Sequence, residues 1–310
     1  MLSHYHAQID PDEENNSHAT MLKMVGFNKR VLETGCASGH MSALLKAQGC
    51  TVVGMELDAS VVEPAREWLE SVVIGDLEDP TLWSQLDGDL FDAILFGDVL
   101  EHLRDPLPAL REAATHLAPS GVVVISVPNI AHADVKAALI KGVFPYSDSG
   151  LLDRTHISFF TKDSLVELVR EAGLAVVEIR RVTVPAFATE IGIHREDVDD
   201  ATFDAITADR EALTYQFVVR AVRDDAEHAV DKLSLDLIAL SDQLLDQTTH
   251  NIALRSENEK LTLQVAALEV QRSVDERDLG NLRGQRETIA RLLPGPLRHF
   301  IQKRVGLGTS

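Results

Sequence analysis

From about residue 30 to residue 223, short apolar runs alternate with stretches of helical periodicity. The runs at 30–33, 51–56, 72–74, 91–96 and 122–127 are continuous and rich in Val, Ile, Leu and Phe, and each predicts a short buried strand. Segments near 39–48, 59–69, 105–117 and 162–172 predict helices between or after them. Strands that alternate with helices build a parallel sheet covered on both faces, so the expected class is α/β. Two further strand-like runs, 175–184 and 215–223, are separated by a polar segment of about 30 residues containing Glu196, Asp197, Asp199 and Asp200. Ahead of all this, residues 1–29 are polar apart from an amphipathic stretch around 18–25.

After about residue 226 the pattern changes period. With Leu233 as a d position, a 4-3 spacing runs without a slip to Leu293, and 12 of its 18 core sites are apolar. That length and that narrow stripe predict a two-stranded coiled coil. Asn251 and Asn258 both fall at a, which favours a parallel homodimer, and Arg272, Asp275 and Arg286 predict a looser C-terminal half. The alternative is a long amphipathic helix folded back on the first domain. The expected organisation is a domain over 1–225, a coiled coil over 226–293 and a tail over 294–310.

Charge narrows the partners. The chain carries a formal −20 at pH 7, which argues against binding nucleic acid by phosphate neutralisation. The last 20 residues reverse this locally, with Arg291, Arg298, Lys303 and Arg304 and no acid. A Pro-Gly-Pro break at 294–296 separates this basic amphipathic segment from the heptads, and such a segment suits an anionic membrane surface or a protein partner; a solvated terminus is the alternative. Cys36 and Cys50 flank a predicted helix and suggest neither a disulfide nor a zinc site. No secretory leader and no spanning segment is expected, so a cytoplasmic protein, peripherally membrane-associated at most, is the expectation.

The chemistry concentrates where the predicted strands end. The first strand runs into Glu33-Thr34-Gly35-Cys36-Ala37-Ser38-Gly39, an E-x-G-x-x-x-G turn lacking the spacing of a dinucleotide fingerprint. Its glycines allow a tight strand-to-helix turn and a close ligand, and its acid suits a ligand with an amino-acid end. The second strand ends at Glu56, placed to accept from both hydroxyls of a ribose. The third leads to Asp76-Leu77, a carboxylate for an adenine amino group beside a backbone amide. The fourth leads to Gly97-Asp98-Val99-Leu100-Glu101-His102-Leu103. Ligands of open parallel sheets bind at these carboxyl ends.

Over roughly residues 15–223, this ordered set resembles the class I (Rossmann-like) S-adenosylmethionine-dependent methyltransferases. The resemblance implies a seven-stranded, mostly parallel sheet with helices on both faces and an antiparallel final strand. It implies S-adenosylmethionine as cofactor, with Glu33, Gly35 and Gly39 at the methionyl end, Glu56 at the ribose, Asp76 and Leu77 at the adenine, and Asp98 bordering the cofactor. The third glycine usual in this turn is absent, its place taken by Cys36-Ala37-Ser38. The segments 127–132, 150–161 and 214–219 are similar to methyltransferases that accompany glycosyltransferases in surface-polysaccharide synthesis. That likeness implies a sugar hydroxyl or a glycan-end phosphate as acceptor, and a glycosyltransferase or membrane-surface partner for the tail.

Methylating a hydroxyl needs aligned groups and a base. His156, in Asp153-Arg154-Thr155-His156, is the first candidate, with capping or bracing the loop as its alternative. His102 is the second, and by the resemblance it could instead pack beneath the cofactor. Asn129, His132, Asp153 and Arg154 are the candidate acceptor contacts, with an Asp153–Arg154 ion pair as the structural alternative for the arginine. No short ligand spacing such as H-x-E or H-E-x-x-H occurs, so no metal site is expected. Two other functions fit the same residues: a small-molecule O-methyltransferase acting on a quinone precursor or phenol, which the 101–103 loop also resembles, and a non-catalytic methyltransferase-like scaffold.

Overall fold

The structure, a computed structural model, describes residues 13–224 apart from Asp87, and scattered positions between 238 and 295. Seven strands form one sheet: β1 Arg30–Thr34, β2 Thr51–Glu56, β3 Ser71–Ile74, β4 Phe91–Gly97, β5 Leu117–Pro128, β6 Leu174–Thr183 and β7 Thr214–Arg223. Their order is β3-β2-β1-β4-β5-β7-β6. β1 to β5 run parallel to one another, and β7 enters antiparallel between β5 and β6. The order reverses beside β1, which opens a crevice at the carboxyl ends of β1 and β4.

Alternate residues of each strand feed opposite faces. On one face Val31, Val52, Leu95 and Val124 pack with Met21, Leu22, Met41 and Leu45 from helices α1 (Ser17–Val25) and α2 (His40–Ala47). On the other, Leu32, Met55, Phe96 and Ile125 pack with Trp83 of α3 (Pro80–Trp83), Leu110 of α4 (Pro106–Thr115) and Leu165 and Val169 of α6 (Lys162–Glu171). Local chemistry starts these helices. Asp105 accepts from the Leu107 amide with Pro106 in the first turn of α4. Thr161 and Ser164 exchange side-chain to backbone bonds at the start of α6.

Two expectations change. The helix expected over 59–69 is a short 3-10 turn, Glu63–Glu67; Pro64, which has no N–H, sits in its first turn and keeps the helix from starting nearer residue 59. The polar segment before β7 is structured: α7 (Asp200–Thr207) and Ile191, Ile193 and Val198 pack on α5 (Ala133–Ile140) and on Leu151 and Leu152 as a third cluster. Its apolar residues are too sparse for a visible period.

By its contacts the chain divides into two compact units, Met1–Leu245 and Asp246–Ser310. The positions described between 238 and 295 are helical. Asn251, Asn258 and most of the expected coiled coil and basic tail lie outside the described residues. Among the described residues no helix is long and apolar enough to cross a membrane.

Candidate active site

The turn after β1 depends on its glycines. Gly35 (φ 64°) and Gly39 (φ 86°) are left-handed. A Cβ on Gly35 would lie 2.8 Å from Val99 Cγ2, and one on Gly39 2.7 Å from Ala65 Cα. The turn presents Glu33 inward, 6% exposed, with the Ser42 hydroxyl of α2 donating to its carboxylate at 2.5 Å. Burial pushes the Glu33 carboxyl up to about 8, with the Ser42 bond opposing and nearby Glu56 adding to the rise. A ligand ammonium would reverse this by favouring the charged form. Burial likewise pushes the Cys36 thiol up to about 12, so it is an inert packing group.

Glu56 is held by one backbone amide on each oxygen, Ala37 N at 2.8 Å and Asp58 N at 3.0 Å. Each oxygen keeps acceptor capacity for a vicinal diol. Asp76 accepts from the Glu78 amide at 2.9 Å, and Trp83 Nε1 donates to the Leu77 carbonyl at 3.2 Å, which fixes the turn after β3. Asp98 is half-buried in a left-handed conformation (φ 55°). Ser126 Oγ donates to it at 3.3 Å, as does Gln216 Nε2, which also donates to Ser126 Oγ at 2.7 Å. Burial raises the Asp98 carboxyl to about 6 against these two donors.

Four acids thus stand at the ends of four successive strands, around two adjoining cavities. One, of ≈ 210 Å³, is lined by Glu33, Gly35, Asp98 and His102 among others. The second, of ≈ 380 Å³, is lined by Glu56, Asp76, Leu77 and Ile157, and shares Gly35, Asp98 and His102 with the first. A volume split in this way, acid at one end and diol-binding carboxylate at the other, suits an elongated ligand with an amino-acid tail and a nucleoside.

The loop between α5 and α6 folds over this mouth. The amides of Ile157 and Ser158 donate to the Glu101 carbonyl at 2.9 and 3.0 Å, and Ser158 Oγ donates to the Leu103 carbonyl at 2.6 Å. These bonds bring His156 against His102, ring centroids 4.9 Å apart. Burial, then the nearness of His102, lowers the His156 pKa. Asp153 accepts from the Thr155 amide and hydroxyl at 2.8 and 2.7 Å, which shapes the loop. Glu101, assigned no role from sequence, is 1% exposed, and burial followed by the charge of Asp98 raises its pKa well above the carboxylate range.

Two of the expected acceptor contacts are buried, and the alternative ion pair of a third is absent. Asn129 and His132 are both 0% exposed. Asn129 donates to the carbonyls of Glu211 and Thr214 at 3.0 and 2.8 Å and accepts from the Ala131 amide at 2.9 Å. His132 places Nε2 3.0 Å from the Val184 carbonyl and accepts from the Asp134 amide at Nδ1. Both are spent on holding backbone, and no face is left for an acceptor. Arg154 is exposed and bonded to Asp148 at 3.2 Å, not to Asp153; Asp153 is already occupied by Thr155.

The sequence reading missed Ser42, Ser126 and Gln216, which hold the Glu33 and Asp98 carboxylates, and left Glu101 without a task. For Gln216 the only available signal was its place in a strand expected to run antiparallel at the sheet's far side. Its register partner, Pro128 at the end of β5, sets it beside the cleft.

The chain is similar to known proteins. A family model described as a methyltransferase domain matches residues 13–179. A ubiquinone biosynthesis O-methyltransferase of Cereibacter sphaeroides is 30% identical over 153 residues, 48% of this chain and 61% of that protein. The enzyme of the same name from Actinobacillus pleuropneumoniae is 30% identical over 110 residues, 33% of this chain and 47% of its own length. The chain therefore spans about half the length of these curated relatives. Among solved structures, a SAM-dependent methyltransferase from Archaeoglobus fulgidus is 19% identical with a TM-score of 0.49, covering 66% of this chain and 91% of its own.

Proposed function

This chain belongs to the methyltransferase domain family, and on that premise we propose that it transfers the methyl group of S-adenosylmethionine to a hydroxyl acceptor. The observation that carries the proposal is the ordered set Glu33, Glu56, Asp76 and Asp98 at the ends of β1 to β4, around cavities that share Gly35, Asp98 and His102. In the proposed complex the ammonium of the methionyl end lies toward Glu33, the ribose hydroxyls bond Glu56, and the adenine meets Asp76 and Leu77. The sulfonium then falls near Asp98 and His102, at the point shared by the two cavities. The acceptor enters over Ile157 and His156. Transfer is an in-line displacement: the acceptor oxygen bonds the methyl carbon as the carbon–sulfur bond breaks, and the hydroxyl proton leaves to a base. His156 is the proposed base, since its lowered pKa keeps the ring neutral near pH 7.

Two acceptor classes are proposed. A small aromatic hydroxyl compound, such as a quinone precursor or phenol, is supported by the names of the curated relatives. It is also supported by an exposed aromatic group joined to the 150–161 loop through Phe159, in which Phe144 packs edge-on against Tyr146 and Phe159. A sugar hydroxyl or glycan-end phosphate is supported by the sequence of the 150–161 loop. The parallel homodimer through 226–293 and the membrane or glycosyltransferase partner of the basic tail are proposals resting on sequence pattern alone.

The test is calorimetric titration of the full chain with S-adenosylmethionine and with S-adenosylhomocysteine, repeated on Glu56→Ala. Micromolar binding, weakened at least tenfold in the variant, is expected. A folded protein that binds neither ligand would leave the scaffold reading in its place. Transfer of a labelled methyl group to phenols or to sugars then separates the two acceptor classes.

A further inference from the structure

Glu101 is a buried acid, 1% exposed, and neither of its carboxylate oxygens has a hydrogen-bond donor among the described residues. Buried carboxylates are ordinarily hydrogen-bonded, ion-paired or metal-bound, because losing water without replacement costs several kcal/mol. Glu101 faces two imidazoles instead. One of its oxygens and one ring nitrogen from each of His102 and His156 all lie within 4.8 Å of one another.

The histidines are oriented for ligation. His102 Nδ1 is 3.1 Å from the Thr155 carbonyl, and His156 Nδ1 is 3.4 Å from the Leu151 carbonyl. Each Nδ1–H is thereby committed to a backbone oxygen, which leaves the Nε2 lone pair to face outward from that bond. Metal-bound histidines show this same division of labour, in which the second nitrogen is fixed by a carbonyl or carboxylate. The backbone also holds the two segments together, since Ile157 and Ser158 both donate to the Glu101 carbonyl.

We infer that Glu101, His102 and His156 form a binding site for one divalent transition-metal cation of the zinc and manganese kind, at the mouth of the cofactor cleft. Two imidazoles and one carboxylate suit these cations better than magnesium or calcium, which prefer all-oxygen sets. Metal–ligand bonds of about 2.0–2.2 Å set neighbouring donors roughly 3–3.5 Å apart, so binding draws the three groups in by up to about 1–2 Å. His102 is exposed and can rotate to close that gap. Three protein donors leave coordination positions open toward the cleft. No contiguous motif encodes the site: Glu101 and His102 come from the β4 loop and His156 from a loop more than fifty residues later. A cation here would lie beside His102, which lines both cavities; it would occupy the His156 nitrogen that otherwise serves as base and would itself acidify an acceptor hydroxyl. That use of the site rests on the proposed methyl transfer, whereas the site itself does not.

The experiment is equilibrium dialysis and calorimetry of the untagged, chelator-stripped full chain with Zn²⁺ and with Mn²⁺, on the wild type and on Glu101→Gln and His156→Asn. S-adenosylhomocysteine is titrated into the same samples. One equivalent of metal at micromolar affinity or tighter, weakened at least tenfold in both variants, is expected. Addition of Co²⁺ should give the visible absorption of a nitrogen- and oxygen-ligated ion in the wild type, and not in His156→Asn. Unchanged S-adenosylhomocysteine affinity in His156→Asn would show that the loss is not unfolding. A wild type that binds the nucleoside ligand but no metal, or one whose metal affinity both variants retain, overturns the site and leaves the methyltransferase proposal standing. Metal binding without nucleoside binding does the reverse.

Discussion

The side-chain amide of Gln216, on the last strand, donates to the carboxylate of Asp98, at the end of the fourth. The pair is 118 residues apart, and β7 makes it by running antiparallel against β5. A donor reaching a half-buried acid favours the charged form and opposes the cost of burial that holds Asp98 up at about 6. Replacing Gln216 by Leu removes that donor, so the Asp98 carboxyl should rise further. Loss of one charge-assisted hydrogen bond is worth about 1.5–3 kcal/mol, and S-adenosylhomocysteine affinity should weaken roughly tenfold, since about 1.4 kcal/mol is a factor of ten. Calorimetry at pH 7 checks this; an unchanged affinity would remove Asp98 from the cofactor's surroundings.

Glu33 sets a pH dependence of opposite sign to that of a salt-bridged acid. Its carboxyl lies at about 8 in the fold against 4.5 in the free side chain. Below pH 4.5 both states are protonated and burial carries no electrostatic cost. Between 4.5 and about 8 the unfolded chain has lost a proton that the native state keeps, so stability falls as pH rises through that window. Above it the loss is complete. Glu33→Gln should flatten this slope and raise the urea midpoint near pH 7.5, while weakening a ligand that carries an ammonium. Wild-type binding of S-adenosylmethionine at pH 7 should release up to one proton. Titration in two buffers of different ionisation enthalpy measures that release, and identical heats in both would disprove it.

Gly39 admits no side chain. Its φ of 86° penalises any L residue, and a Cβ would meet Ala65 at 2.7 Å. The left-handed conformation costs about 1–2 kcal/mol and the overpacking about 1–3 kcal/mol more. Gly39→Ala should therefore lower the free energy of unfolding by about 2 kcal/mol or more, with weakened cofactor binding alongside. Urea denaturation checks the first and calorimetry the second.

Asn129 should behave as a structural residue. Asn129→Ala leaves two buried carbonyls and one amide without their partner, at a cost of about 2–4 kcal/mol. S-adenosylhomocysteine affinity should be unchanged in the folded fraction. A variant of wild-type stability with altered acceptor KM would restore the acceptor-contact role that its burial denies.

The α/β class, the cores of all seven strands and the residues at the strand ends were legible along the chain because they are local. A strand end, its glycine turn and its acid lie within a few residues of one another, and the hydrophobic period counts where each strand stops. Glu33, Gly35, Glu56, Asp76 and Asp98 follow from that arithmetic. The 59–69 segment departed from its helical pattern for an equally local reason, Pro64, which the period alone does not weigh.

The partners of those acids were not legible. Ser42 reaches Glu33, Gln216 reaches Asp98, and His156 reaches Glu101 and His102 only because separate elements dock side by side. The same docking buries Asn129 and His132 beneath the 185–213 segment, whose few apolar residues show no period to announce a core. Local propensity and spacing therefore named the residues at each strand end. Which of them face the cleft, and what each one touches, depends on packing between distant segments, where burial and hydrogen-bond pairing are settled jointly and not residue by residue.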